Sequence, residues 1–382
     1  MAGDGGRMQA LHEHGQSVWL DYIRRGILGS SGELKAMIDE YDLRGVTSNP
    51  SIFEQAIGQG SDYDATFHEL AAQGSDAVKA FDSVALQDIR DAADLFRGVF
   101  DRAEGHDGFI SMEVSPTLAD DTQATVDEAR RLWKALDRPN VMIKIPGTDA
   151  GIPAIEQVIA DGINVNVTLL FSLQNYEAVM EAYLRGLEKR AAAGQPLDKV
   201  ASVASFFVSR VDNSVDAKLQ EIIDGPADEG TKAKARGLLG KAAIANAKLA
   251  YERFQQVFSG GRWEKLVAAG ARVQRPLWAS TSTKNPAYRD VVYVEELVGP
   301  NTVNTMPLAT IKAFADHGVA ARTVDKDVDV AHAQLASLAE LGISLDEVTR
   351  ELQIDGVKKF AKSFEDMMTV VGQKLERVAA SK

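Results

Sequence analysis

One lysine stands inside an apolar run. Lys144 lies in Val141-Met142-Ile143-Lys144-Ile145-Pro146-Gly147-Thr148, which reads as a short strand stopped by Pro-Gly. Strand side chains alternate, so Met142 and Lys144 take one face and Val141, Ile143 and Ile145 the other. If both faces are covered, the amine lies in a poor solvent, and desolvation favours its neutral form. A neutral lysine at the C-terminal end of a strand can attack a carbonyl as an amine nucleophile. A structural lysine, reaching water or pairing with an acid, fits the same run. The choice turns on what else reaches that amine.

The elements that must position it alternate along the chain. Strands are expected over residues 17–22, 46–50, 109–116, 141–145, 163–170, 200–208, 277–281 and 301–307. The segment Ile163-Asn164-Val165-Asn166-Val167-Thr168-Leu169-Leu170 alternates strictly, with Asn164, Asn166 and Thr168 on one face. Helices are expected between the strands. Ser30 or Ser31 caps one that runs to Tyr41, and Val78, Phe81, Val84, Ala85, Ile89, Ala92 and Leu95 keep helical spacing within 76–104. One long helix is expected over 229–258, and further helices over 335–341, 344–354 and 357–380, with no strand after 307. Strand–helix alternation implies parallel βαβ units, and eight of them suggest a closed (β/α)8 TIM barrel of the α/β class, covered by extra C-terminal helices. An open doubly wound sheet is the alternative. No G-x-G-x-x-G follows the first strand and no G-x-x-x-x-G-K-[ST] occurs, which disfavours dinucleotide and ATP sites.

Composition narrows the function classes. The chain has 382 residues, 45% hydrophobic and 25% charged, enough for one large folded unit. We expect a mobile tail over 1–15, which is Gly- and His-rich, and a single barrel domain over 16–382. His12 and His14 of that tail could bind a metal only weakly. The net charge of −13 disfavours nucleic acid as a partner, yet leaves room for a locally positive pocket. There are no cysteines, so no disulfide, thiolate ligand or cysteine nucleophile, which fits a cytoplasmic protein. No apolar run approaches a membrane span, and no signal peptide is expected over residues 1–15, which lack an apolar core.

Polar residues gather at the strand ends: Asp21, Thr47, Asn49, Glu113, Lys144, Asn166, Thr168, Ser205, Arg210, Ser280 and Lys284. A barrel collects the C-terminal ends of its strands at one mouth. Each such group has a structural explanation singly; Asn49 could cap the turn that follows it, and Asp21 could be an ion-pair partner. Converging on one buried lysine, they cost free energy unless paired, and they read together as a site.

Several blocks carry a resemblance. Gly45-Val46-Thr47-Ser48-Asn49-Pro50-Ser51, Ser111-Met112-Glu113-Val114, Met142-Ile143-Lys144-Ile145-Pro146 and Gly162-Ile163-Asn164-Val165-Asn166-Val167-Thr168-Leu169-Leu170-Phe171-Ser172 resemble the transaldolase family. So do Ala204-Ser205-Phe206-Phe207-Val208-Ser209-Arg210-Val211-Asp212 and Trp278-Ala279-Ser280-Thr281-Ser282-Thr283-Lys284-Asn285-Pro286. They follow the family's order from Asp21 to Ala315, and a longer bacterial subgroup looks most similar. The resemblance implies a (β/α)8 barrel and class I aldolase chemistry with no metal or other cofactor. It implies a transferase that moves a dihydroxyacetone unit from a ketose phosphate to an aldose phosphate. In the pentose phosphate pathway this links sedoheptulose 7-phosphate and glyceraldehyde 3-phosphate with erythrose 4-phosphate and fructose 6-phosphate.

The same resemblance implies the roles. Lys144 forms the Schiff base, Asp21 is the base at the bond that breaks, and Glu113 and Thr168 hold a proton-shuttling water. Asn49, Asn166 and Ser205 bind the hydroxyls of the three-carbon unit; Thr47 shares that wall and Phe207 gives an apolar side. Arg210, with Ser280 beside it, takes the phosphate, and Lys284 stands where shorter members have arginine. Sugar phosphates are the expected partners, with no nucleic acid and no membrane; assembly into a homo-oligomer is left open. Two alternatives compete. A fructose 6-phosphate aldolase-type lyase would release dihydroxyacetone and is disfavoured by Glu113 where a tyrosine would serve it. A non-catalytic sugar-phosphate-binding barrel would not need both Lys144 and Asp21.

Overall fold

In the computed structural model the described residues are 4–29 and 32–380. Ser30 and Ser31, expected to cap a helix, lie outside the described residues. The strands are β1 (Gln16–Leu20), β2 (Gly45–Val46), β3 (Phe109–Glu113), β4 (Val141–Pro146), β5 (Val165–Leu170), β6 (Ser202–Phe207), β7 (Gln274–Ala279) and β8 (Thr302–Met306). They pair in sequence order as a closed parallel barrel, and β1 joins β8 from Gln16 opposite Thr302 to Leu20 opposite Met306. Every strand residue except Arg275 is buried, because helices cover the outside and side chains fill the inside. That explains the apolar character of Val141–Pro146 on both faces. Helices Gly151–Asp161 and Leu173–Ala192 pack outside β4 and β5, and Ser172 caps the second by accepting from the Asn175 amide.

The alternation along each strand gives the barrel two ends. Trp19, Met142 and Val203 point inward near the N-terminal mouth, while Asp21, Lys144 and Ser205 point inward near the C-terminal one.

Four expectations are corrected. Residues 4–13 of the expected tail form a helix, Asp4–Glu13, that buries Met8 and Leu11, three apart on one face, and Arg7 donates to the Ala315 carbonyl at 2.8 Å. The expected helix over 76–104 is two, Ala77–Leu95 and Arg97–Arg102, with Phe96 between them. The helix expected over 229–258 is also two, Glu229–Leu238 and Ala242–Val257. The break is at Gly240, whose φ is +67° and whose amide donates to Asp216; a Cβ there would lie 2.7 Å from the Tyr288 ring. Conversely, the segments expected over 344–354 and 357–380 are one helix, Leu345–Ala380, that runs through Gly356 and crosses the C-terminal mouth.

Candidate active site

The C-terminal mouth holds a cavity of about 250 Å³, lined among others by Asp21, Thr47, Asn49, Lys144, Thr168, Ser205, Phe207, Arg210, Ser280 and Lys284. Residues as much as 263 positions apart are thus brought to one opening by the barrel's closure. Glu113 and Asn166, also expected here, do not line it. A larger cavity, about 530 Å³, opens at the N-terminal mouth and takes in none of the expected side chains. There Arg275 is tied to Asp107, Ser17 and the Thr302 carbonyl, a network that braces the barrel floor.

Lys144 is only 5% exposed. Register places it opposite Glu113 on β3 and Asn166 on β5. Its Nζ donates to the Ser48 carbonyl at 3.2 Å and lies 3.3 Å from Glu113 Oε2. Burial pushes the Glu113 carboxyl above the usual carboxylate range; the Lys144 charge opposes that rise and Asp21 adds to it. Neither Glu113 oxygen sits in a directed hydrogen bond, and the fully buried Thr168 hydroxyl also has no partner. Buried polar atoms without partners are rare in folded proteins and call for a ligand or a water. Glu113 therefore leaves acceptor capacity beside the lysine, and Thr168 leaves an unused hydroxyl in the wall of the same cavity.

Asp21 follows directly on β1. Thr47 donates to its Oδ1 at 2.7 Å and shares a second 2.7 Å contact with the Thr305 hydroxyl. A hydroxyl has one proton and the carboxylate only accepts, so Thr305 must be the donor to Thr47. The relay orients one Asp21 oxygen and leaves the other to the cavity.

Asn49 does cap a helix, as its structural explanation allowed: the Ile52 amide donates to its Oδ1 at 3.1 Å. The cap uses only the oxygen, and the side-chain amide group is left for the cavity. Asn166 lies beneath the floor. Its Nδ2 donates to Ser111 Oγ at 2.9 Å and its Oδ1 accepts from Ser205 Oγ at 2.7 Å. It holds Ser205 and is not among the residues that line the cavity.

One end of the cavity is cationic, with Arg210 and Lys284 in its lining. Arg210 stands in the first turn of helix Ser209–Asp224, its guanidinium 5.0 Å from the centre of the Phe207 ring. Desolvation pulls its pKa below the usual arginine value without removing its charge. Ser280, at φ +56°, contacts Ser209 Oγ at 3.0 Å, and its carbonyl accepts from the Ser209 amide. The strained backbone turns Ser280 toward that helix N-terminus, where amides favour an anion. Lys284 is exposed at the rim.

Sequence reasoning missed Thr305 and Phe360. Thr305 satisfies the same strand-end rule as the others. Phe360 carries no local signal, because helical apolar spacing is what packing alone also produces. Its ring centre lies 5.6 Å from Lys144 Nζ. Among the described residues no group of three or more His, Asp or Glu side chains is placed to hold a metal ion, and no helix is long and apolar enough to cross a membrane.

A model of the family described as Transaldolase/Fructose-6-phosphate aldolase matches residues 18–371. Similar curated proteins include one named Transaldolase from Trichodesmium erythraeum, 47% identical, the match covering 95% of this chain and 96% of that one. One named Transaldolase from a Parafrankia species is 49% identical over 97% and 98% of the two chains. One named Transaldolase 1 from Streptomyces coelicolor is 50% identical over 97% and 95%.

Proposed function

We propose a transaldolase reaction for this chain, which belongs to the Transaldolase/Fructose-6-phosphate aldolase family. The observation that carries the reading is a buried lysine amine on a cavity floor, between a carboxyl and a carbonyl, with arginine at the far end.

Lys144 attacks the ketone of a phosphorylated ketose donor. Glu113 and Thr168 hold the water that passes a proton to the departing hydroxyl as the carbinolamine becomes an iminium. Asp21, oriented by Thr47, removes the proton from the hydroxyl on the carbon next to the bond that breaks. The bonding pair moves into the iminium, an aldose phosphate leaves, and a three-carbon enamine stays on Lys144. Asn49 and Ser205 hold its hydroxyls, with Asn166 positioning Ser205 from below. The acceptor aldehyde then enters, and the steps run in reverse. Arg210, Ser280 and the helix N-terminus take the phosphate, and Lys284 adds charge at the rim.

The proposed substrates are sedoheptulose 7-phosphate with glyceraldehyde 3-phosphate, and erythrose 4-phosphate with fructose 6-phosphate, in the cytoplasmic pentose phosphate pathway. The family description also spans lyases. Transfer is favoured because no tyrosine lines the cavity to protonate the enamine, and the carboxyl of Glu113 lies behind the amine instead.

Borohydride added with fructose 6-phosphate should reduce the iminium and leave a dihydroxyacetone adduct on Lys144, read by peptide mass spectrometry. A folded sample that consumes substrate but leaves Lys144 unmodified refutes the Schiff base. Dependence of consumption on erythrose 4-phosphate separates transfer from lysis.

A further inference from the structure

The C-terminal helix Leu345–Ala380 is docked on the mouth by a regular stripe of side chains. Gln353 Nε2 donates to the Gly147 carbonyl at 3.0 Å and the Leu169 carbonyl at 3.3 Å, just past the end of β4 and within the irregularity of β5. Leu169 has φ +59° there, so the bulge turns its carbonyl out of the ladder. Gly356 follows, where a Cβ would lie 2.9 Å from Leu169 Cδ2; the absent side chain lets the helix approach. Phe360 comes one turn later, above Lys144. Beyond it, Ser51 Oγ donates to Ser363 Oγ at 2.8 Å, and Phe364 meets Phe81 edge-on. Lys374 closes the stripe, donating to the Ile57 and Gly60 carbonyls and pairing with Asp64.

These contacts, spread from Gln353 to Lys374, fix the helix along its length across the mouth. Their product is a single aromatic ring, buried and lining the cavity, facing the amine from the side opposite the barrel floor. The polar neighbours of Nζ, Glu113 at 3.3 Å and the Ser48 carbonyl at 3.2 Å, exchange a proton or accept a hydrogen bond. Phe360 can do neither.

We propose that Phe360 is the roof that commits the bound three-carbon unit to transfer. The inference rests on the Schiff-base reading of Lys144. While the enamine waits, two fates compete. Its nucleophilic carbon can bond to the acceptor's carbonyl carbon, the acceptor oxygen taking a proton. Alternatively that carbon takes a proton from water, giving the iminium of dihydroxyacetone; water then adds to the iminium carbon, the C–N bond breaks, and dihydroxyacetone leaves with Lys144 restored. Both fates pass through an iminium cation, which the face of an aromatic ring attracts. Both also end with water adding to the iminium carbon and the C–N bond breaking. Only the second needs water to deliver a proton to the enamine carbon, and the ring takes up cavity space facing the amine where that water would stand.

The test uses full-length Phe360→Ala and Phe360→Leu. Two rates are measured on each: dihydroxyacetone release from fructose 6-phosphate alone, and sedoheptulose 7-phosphate formation when erythrose 4-phosphate is the acceptor. Opening the roof should raise the ratio of release to transfer about tenfold in F360A, the scale of a modest change in barrier. F360L keeps bulk but not the ring face and should raise it about threefold. A purely structural role would lower both rates together and leave the ratio unchanged, and that result in both variants overturns the proposal. F360L decides the matter if F360A does not fold. Borohydride trapping on wild type runs alongside. No adduct on Lys144 refutes the Schiff base, whereas a normal adduct with unchanged ratios refutes only the roof.

Discussion

Lys144 Nζ lies 3.3 Å from Glu113 Oε2, and the two residues face each other in the register of β3 and β4. The pairing is made by backbone hydrogen bonds rather than by flexible side chains, so the amine and carboxyl are held at a fixed height in the barrel. Burial raises the carboxyl's hold on its proton and the ammonium beside it weakens that hold. A group so balanced can give a proton in one step and take it back in another. Replacing it with an amide keeps the shape and removes the exchange. Glu113→Gln should lower kcat by about 10²- to 10⁴-fold, the usual worth of a positioned acid or base. Stopped-flow formation of the Lys144 adduct should slow with it. An E113Q enzyme with wild-type kcat would remove Glu113 from the proton path.

Thr47 ties the base to the eighth strand. Thr47→Val deletes the donor to Asp21 at nearly constant volume, and a hydrogen bond to a charged group is worth about 1.5–3 kcal/mol. We expect kcat/KM to fall about tenfold or more, with KM little changed, because the loss falls on the orientation of Asp21. Thr305→Val leaves that donor in place and should cost less. Equal losses in the two variants would contradict the direction assigned to the relay.

Arg210 and Lys284 should separate by substrate. Arg210 stacks on Phe207 in the cavity, while Lys284 is exposed at its rim. Arg210→Lys loses the planar fork and the stacking, and should raise KM for fructose 6-phosphate by about 10- to 100-fold, the scale of one or two charge-assisted bonds. Unphosphorylated fructose should show almost no such change. Lys284→Ala should raise KM only about two- to fivefold, an effect that fades with added salt. A larger effect for Lys284 than for Arg210 would reverse the assignment.

Asp212 gives a pH dependence outside the cavity. It is fully buried, accepts from the Ala243 amide at 2.7 Å and from the Tyr293 hydroxyl at 2.8 Å, and burial raises its pKa from 3.8 to about 6. A carboxyl raised on folding adds stability below its unfolded pKa and loses that stability as pH climbs through the folded value. Between pH 4 and 6 the wild type should lose stability relative to Asp212→Asn, by about 3 kcal/mol for a shift of two pH units. Denaturant unfolding of both proteins across that range measures the difference. Parallel curves would mean that Asp212 does not titrate there.

The strands were legible because buried parallel strands leave short apolar runs between helical patterns. Lys144, Glu113 and Thr168 were legible for the same reason: a polar residue in such a run has few structural explanations. Helix continuity was harder. Gly240 and Gly356 look alike in sequence, yet one ends a helix against Tyr288 and the other lets a helix pass over Leu169. The residue type is the same, and the neighbour that decides is distant in the chain. Asn166 shows the limit within the site. Alternation placed it on the inward face correctly, but depth along the barrel axis depends on stagger, and stagger comes from how all eight strands close.

The sequence by itself determined the chemistry that was available: a lysine in an apolar strand, carboxyls and hydroxyls at neighbouring strand ends, and an arginine opening a helix. Periodicity carries that much, since burial and side-chain direction are local properties of a strand. Only the tertiary structure decided which of these groups share a cavity and which lie beneath it. It alone placed Glu113 against Lys144, made Asn166 a brace for Ser205, and brought Phe360 to the amine from a helix 216 residues further along. Those relations depend on barrel closure and on the docking of a long helix, and both are set by contacts between parts of the chain that carry no local mark of one another.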